Sequence, residues 1–115
     1  PGAALVLPPV TALIRPAVDA YLASVGLARL RPVAETASLA LGRGICLGSD
    51  ALWFISRGVV EDELDRGVLV TLETGARFLS GAVGMTRRQG AAPPGLAVLE
   101  QVARDIAAVG ARRRA

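Results

Sequence analysis

Histidine and lysine are absent from this 115-residue chain, and cysteine occurs once, as Cys46. Without histidine there is no Ser–His–Asp or Cys–His catalytic arrangement, no imidazole zinc site and no general base of the commonest kind. Without lysine a Walker-type phosphate loop is excluded, so Gly42-Arg43-Gly44 is only a fragment of one. A dinucleotide fingerprint beginning at Gly42 also fails, because Leu47 stands where its last glycine belongs. One cysteine makes neither an internal disulfide nor a thiolate metal site, and it fits a reducing compartment. Cys46 reads as a small buried hydrophobe, with a redox-sensing thiol as the alternative. No catalytic site, metal site or cofactor is expected.

Aromatic residues are scarce as well, at 3%, so Ala, Val, Leu and Ile must fill the core. No charge-free apolar run reaches the ~18 residues of a spanning helix. The longest uncharged stretch, Pro1–Ile14, contains three prolines and lacks the basic start of a secretion signal. The expectation is a cytoplasmic chain with no membrane contact and, since it opens on Pro1, part of something longer. The net charge is +3, but all the basic residues are arginine. Setting aside Arg112–Arg114 leaves as many acids as bases. The body therefore carries no basic stripe for nucleic acid, and the terminal arginines read as a solvated end.

Apolar residues make up 52% of the chain, which implies a packed core in one domain or lobe. Three junctions repeat one arrangement: an apolar strand-like run, a hydroxyl residue, then a helical pattern. They are Ala4–Pro8 with Thr11, Val33–Glu35 with Thr36 and Ser38, and Ala51–Ile55 with Ser56. Such repetition predicts a parallel sheet flanked by helices, whose ligands sit beyond the carboxyl ends of the strands.

The first helix carries Ile14, Val18, Tyr21, Leu22 and Val25 on one stripe, begins near Leu13 or later because of Pro16, and stops at Gly26. A second, glycine-weakened helix is expected over Ser38–Leu47, and a brief third over Val59–Arg66 with Gly67 as its stop. Val68–Leu72 reads as a further strand, Glu73–Leu79 as a loop and Gly81–Arg87 as a fifth strand. Pro93-Pro94 then opens a long helix with Leu96, Leu99, Val102, Ala103 and Ile106 on one face and Glu100 and Arg104 paired on the other. The fold class is α/β, a doubly wound, mostly parallel sheet. Glu61, Asp62, Glu63 and Asp65 read as a solvated helix face rather than a metal cluster, and Asp50 as a turn residue.

Several segments resemble the second lobe of the effector-binding domain of LysR-type transcriptional regulators. They are Ala4–Thr11, Val33-x-Glu35-Thr36-x-Ser38-Leu39-Ala40, Gly44–Ser56 and Glu61-Asp62-Glu63-Leu64-x-Arg66-Gly67-x-Leu69-Val70-x-Leu72. The Glu-Leu-x-x-Gly-x-Leu-Val-x-Leu segment is the most specific of them. Val83–Arg88 and the helix after Pro93-Pro94 resemble the end of that domain. Arg43 and the run Ser49–Val60 are similar to the branch controlling protocatechuate (pca-type) and related aromatic-acid catabolism. Ser56 and Arg57 depart from the pattern, standing where many members have proline.

The resemblance implies a periplasmic-binding-protein-like lobe over residues 1–90, then a C-terminal helix and Arg-rich tail over 91–115. It implies a small anionic inducer held between two lobes, an aromatic or dicarboxylic acid. DNA would be bound only by an N-terminal helix-turn-helix domain outside this chain. The full-length protein would be a homodimer or homotetramer, with the Leu39–Leu47 helix at the interface. The ligand-facing groups would be Pro9, Thr11, Thr36, Ser38, Ser56 and Arg57. The hydroxyls among them can also cap helices, and Arg57 can instead pair with Glu61. Trp53 and Phe54 point to opposite faces of a strand and read as core rather than inducer-stacking groups. Two alternatives accompany the regulator reading: a lobe of a periplasmic solute-binding protein, and a fragment of an α/β enzyme.

Overall fold

A computed structural model describes residues 4–114, with side chains described through Arg112, so Arg113 and Arg114 of the expected tail lie outside the described side chains. The chain divides into two compact units, Pro1–Gly81 and Ala82–Ala115.

The first unit runs β1 (Leu5–Leu7), α1 (Arg15–Ser24), β2 (Ala34–Glu35), α2 (Leu39–Leu47), β3 (Leu52–Trp53), a 3-10 turn at Arg57–Val59 and α3 (Glu61–Asp65). The three strands form one parallel sheet in the order β2-β1-β3, as the repeated junctions predict. Val6 is level with Ala34 on one side and with Trp53 on the other. All three residues of β1 are buried, as a central strand covered on both faces must be.

The two faces are covered differently. Leu5 and Leu7 pack on Val18 and Leu22 of α1, with Tyr21, Leu52 and Phe54 at the margin of this cluster. The Tyr21 and Phe54 rings meet tilted, with centroids 5.9 Å apart. Trp53, on the opposite face by strand alternation, lies against Gly42 of α2; a Cβ at Gly42 would run into the indole ring. Glycine in this helix therefore allows close approach to the sheet, and Trp53 and Phe54 are packed groups, as expected.

Helix ends follow local chemistry. Pro16 lies in the first turn of α1, where the proline nitrogen needs no intrahelical partner. Past the C-termini, Gly26 (φ +78°) and Gly67 (φ +69°) adopt the left-handed conformation that closes each helix. At the end of α3, the Gly67 N–H donates to Leu64 O at 3.0 Å and the Val68 N–H to Glu63 O at 3.0 Å. The third helical segment is split, the 3-10 turn at Arg57–Val59 preceding α3.

Two expected strands are not formed. Val68–Leu72 joins no ladder; Val68, Val70 and Leu72 alternate apolar side chains toward solvent at 56%, 78% and 61% exposure. Gly81–Arg87 is likewise unpaired. Period-2 alternation provides a face, but a strand exists only where a neighbouring strand takes its hydrogen bonds, and no strand pairs with these segments among the described residues. The expected loop Glu73–Leu79 closes with a 3-10 turn at Arg77–Leu79.

In the second unit, α4 (Leu96–Arg114) begins two residues after the proline pair. Glu100 lies between Arg87, 3.5 Å away, and Arg104, 3.6 Å away, the latter being the expected i,i+4 pair. Among the described residues no helix is long and apolar enough to cross a membrane.

Candidate functional site

Because the three strands are parallel, their carboxyl ends share one edge of the sheet, and every proposed ligand-facing residue follows one of those ends. Two interstrand spacings separate β2 from β3, so the rim is about 10 Å across.

At the end of β1, Pro8 is buried and Pro9 half-buried. Thr11 is exposed in the turn before α1 and does not cap it; the capping position belongs to Ile14, which makes no side-chain cap bond. At the end of β2, Thr36 continues the ladder by donating its N–H to Leu7 O at 3.0 Å. Its Oγ1 accepts the Ser38 N–H at 2.9 Å, and Ser38 Oγ in turn accepts the Leu41 N–H at 3.2 Å, capping α2. Each hydroxyl oxygen thus takes a backbone proton and keeps its own O–H to donate. At the end of β3, Ser56 and Arg57 are exposed, and the 3-10 turn has no side-chain cap bond. The alternative ion pair between Arg57 and Glu61 is not formed; Arg57 has no side-chain partner among the described residues.

Sequence reasoning missed Arg15. Its guanidinium, 12% exposed, bridges the ends of β1 and β2. Nη1 donates to Pro8 O at 2.8 Å, Nε to Asp19 Oδ1 at 2.8 Å and Nη2 to Glu35 Oε1 at 3.0 Å. Hydrogen bonds to Asp19, then Glu35, raise its pKa further above the ordinary arginine value. The i,i+4 spacing of Arg15 and Asp19 was a legible signal; the Glu35 contact depends on β1 and β2 being neighbours.

The acidic face expected on α3 is solvated at Asp62 and Asp65 but is corrected at Glu63. Glu63 is buried, 6% exposed, with Arg43 Nε 2.6 Å from its Oε1 and Arg66 Nη2 3.8 Å from the same oxygen. Arg43 of the Gly-Arg-Gly fragment serves this buried carboxylate. No group of three His, Cys, Asp or Glu side chains that could hold a metal ion forms among the described residues. Cys46 is buried, and desolvation pushes its thiol pKa up, as suits a packed hydrophobe.

A cleft of about 470 Å³ lies beside β3, lined by Tyr21, Phe54, Leu69 and Leu72 among others, with Arg57 also in its wall. The rim can therefore offer hydroxyl donors at β2, an uncommitted guanidinium at β3 and an apolar wall beside it. That set suits a small carboxylate carried on an apolar or ring-shaped body.

Comparison with known proteins gives two curated relatives, from Agrobacterium fabrum and Rhizobium radiobacter, both described as HTH-type transcriptional regulator PcaQ. Each is 36% identical over 104 residues, 90% of this chain and 33% of the relative. The chain thus spans about a third of the length of the curated relatives it matches. No protein-family model and no solved structure matches it.

Proposed function

We propose, from the premise that this chain is a relative of the LysR-type transcriptional regulators of the pca branch, that it is the effector-sensing part of such a regulator. In this reading, residues 1–90 form the second lobe of an effector-binding domain and 91–115 its closing helix and tail. A small carboxylate, an aromatic or dicarboxylic acid, docks at the rim formed by Pro9, Thr11, Thr36, Ser38, Ser56 and Arg57. DNA is contacted by a separate domain, the working protein is a homodimer or homotetramer in the cytoplasm, and no chemistry is done on the ligand.

The single observation that supports this best is Arg57, an exposed guanidinium with no side-chain partner among the described residues at the carboxyl end of β3, on the same rim as the Ser38 hydroxyl that caps α2 and the Thr36 hydroxyl that accepts the Ser38 N–H. Relatives that are transcriptional regulators support a regulator over the solute-binding-protein alternative, and a binding protein over an enzyme.

The test is calorimetric titration of the full-length protein with protocatechuate and cis,cis-muconate, with and without Arg57→Gln. Saturable binding of at least one acid is expected, weakened roughly tenfold by the substitution, as loss of a charge-assisted hydrogen bond implies. Binding of neither acid would remove the reading. Equal binding by Arg57→Gln would remove Arg57 from the site.

A further inference from the structure

One side chain ties helix α2 to the turn that follows β3. Arg43 donates from Nη2 to the Val59 carbonyl at 3.0 Å and sets Nε 2.6 Å from Glu63 Oε1. The Arg43 Nε contact is an ion pair without hydrogen-bond geometry, and the second carboxylate oxygen, Glu63 Oε2, is buried and accepts no hydrogen bond among the described residues. A carboxylate this deep is costly unless a cation faces it. Arg66 is the weaker candidate, 3.8 Å away on a side chain that is 68% exposed. Arg43 is therefore the group that keeps Glu63 folded inward.

The turn held in this way carries two residues of the rim. The Val59 N–H donates to Ser56 O at 2.9 Å and the Val60 N–H to Arg57 O at 3.1 Å, with no side-chain cap at the start of the turn. Its last residue is bound from α2 through the Val59 carbonyl, and the chain runs on into α3, whose capping position is Val60 and has no side-chain cap either. Local hydrogen bonding gives this turn little hold of its own; Arg43 and Glu63 provide it from below.

We infer that Arg43 and Glu63 are positioning residues for the effector rim, a half-buried guanidinium on a buried carboxylate that together fix the turn presenting Ser56 and Arg57. The inference rests on the effector reading of the rim and extends it to a pair that does not face the ligand. It also gives Arg57 a reason to bind well although exposed: its backbone is anchored, so less conformational freedom is lost when a carboxylate docks.

A purely structural role predicts something different, and substitution separates the two. A buried ion pair can be exchanged for apolar side chains of similar size with little loss of stability. In the full-length protein, the double variant Arg43→Met, Glu63→Leu should melt within a few degrees of the unmodified protein. It should nevertheless bind protocatechuate or cis,cis-muconate roughly tenfold more weakly, because the bond to the Val59 carbonyl is gone. Should the double variant fail to fold, Arg43→Lys carries the test. It keeps a cation beside Glu63 but withdraws the planar fork that reaches Glu63 and Val59 together, and several-fold weaker binding at unchanged melting temperature is expected. Wild-type affinity in a folded variant overturns the positioning role while leaving the effector reading intact. No binding of either acid by the unmodified protein overturns both.

Discussion

Two arginines stand at the carboxyl edge of the sheet, and they are held in opposite ways. Arg15, beside β1 and β2, is nearly buried and committed three times over, to Asp19, Glu35 and the Pro8 carbonyl. Arg57, after β3, is exposed and has no side-chain partner among the described residues. The positive charge at the β2 side is more than balanced by two carboxylates, whereas at the β3 side it is open. Support is distributed in reverse. The Arg15 end holds itself through the arginine's own bonds, while the Arg57 end is held from beneath by Arg43 and Glu63 and by the close seat of Trp53 on α2. One end of the rim is structure in itself; the other is a group presented by structure elsewhere. In the proposed reading, an incoming anion would meet its cation at β3.

The most severe way to break this contrast is to remove the support under the β3 end. Arg43→Met alone leaves the Glu63 carboxylate buried with only Arg66 nearby, and about 3 kcal/mol of stability should be lost. Thermal unfolding measures this, and a melting temperature equal to the unmodified protein's would show that Glu63 escapes to solvent at no cost. Gly42→Ala should follow at about 2 kcal/mol, since the added Cβ meets the Trp53 ring and α2 must move off β3. Near-ultraviolet circular dichroism of the single tryptophan would report the shift along with the melt. An unchanged spectrum and melt would mean the helix yields freely at this point.

These supports are also where the sequence was hardest to read. The alternation of β1, α1, β2, α2 and β3 was legible because each boundary carries its own signal: Pro8-Pro9 after the first strand, Gly26 after α1, Ser38 before α2, Gly67 after α3. Such signals act within a few residues. Arg43 and Glu63 lie on different helices, and nothing near either residue says that they meet; the acids around Glu63 point by pattern to a solvated face. Arg15 and Glu35 meet only because β2 is laid beside β1. Val68–Leu72 has strand-like alternation, yet without a pairing backbone the alternation exposes its apolar side chains. For the candidate rim, the place of the hydroxyls after apolar runs was legible, whereas Arg57 entered only through the family resemblance. Which arginine is free was a matter of tertiary contact.

The finest test compares the two arginines directly. Arg15→Met removes hydrogen bonds to two carboxylates and a carbonyl from a side chain that is 12% exposed, and it leaves Asp19 and Glu35 facing each other without a cation. Both carboxylates are substantially exposed, so water takes up part of the loss, and about 1.5 kcal/mol should remain. Arg57→Gln touches no ion pair and no buried surface, so its unfolding should stay within about 0.5 kcal/mol of the unmodified protein. The ligand response should run the other way, weakened at Arg57 and largely retained in whatever fraction of Arg15→Met is folded. Urea unfolding and acid titration of the two variants side by side decide the matter. If Arg57→Gln proves the more destabilising, its guanidinium has a structural partner in solution and the β3 end is not open. If instead Arg15→Met abolishes binding while remaining folded, the anion reaches the β1–β2 end and displaces Glu35 from Arg15, and the polarity of the rim is reversed.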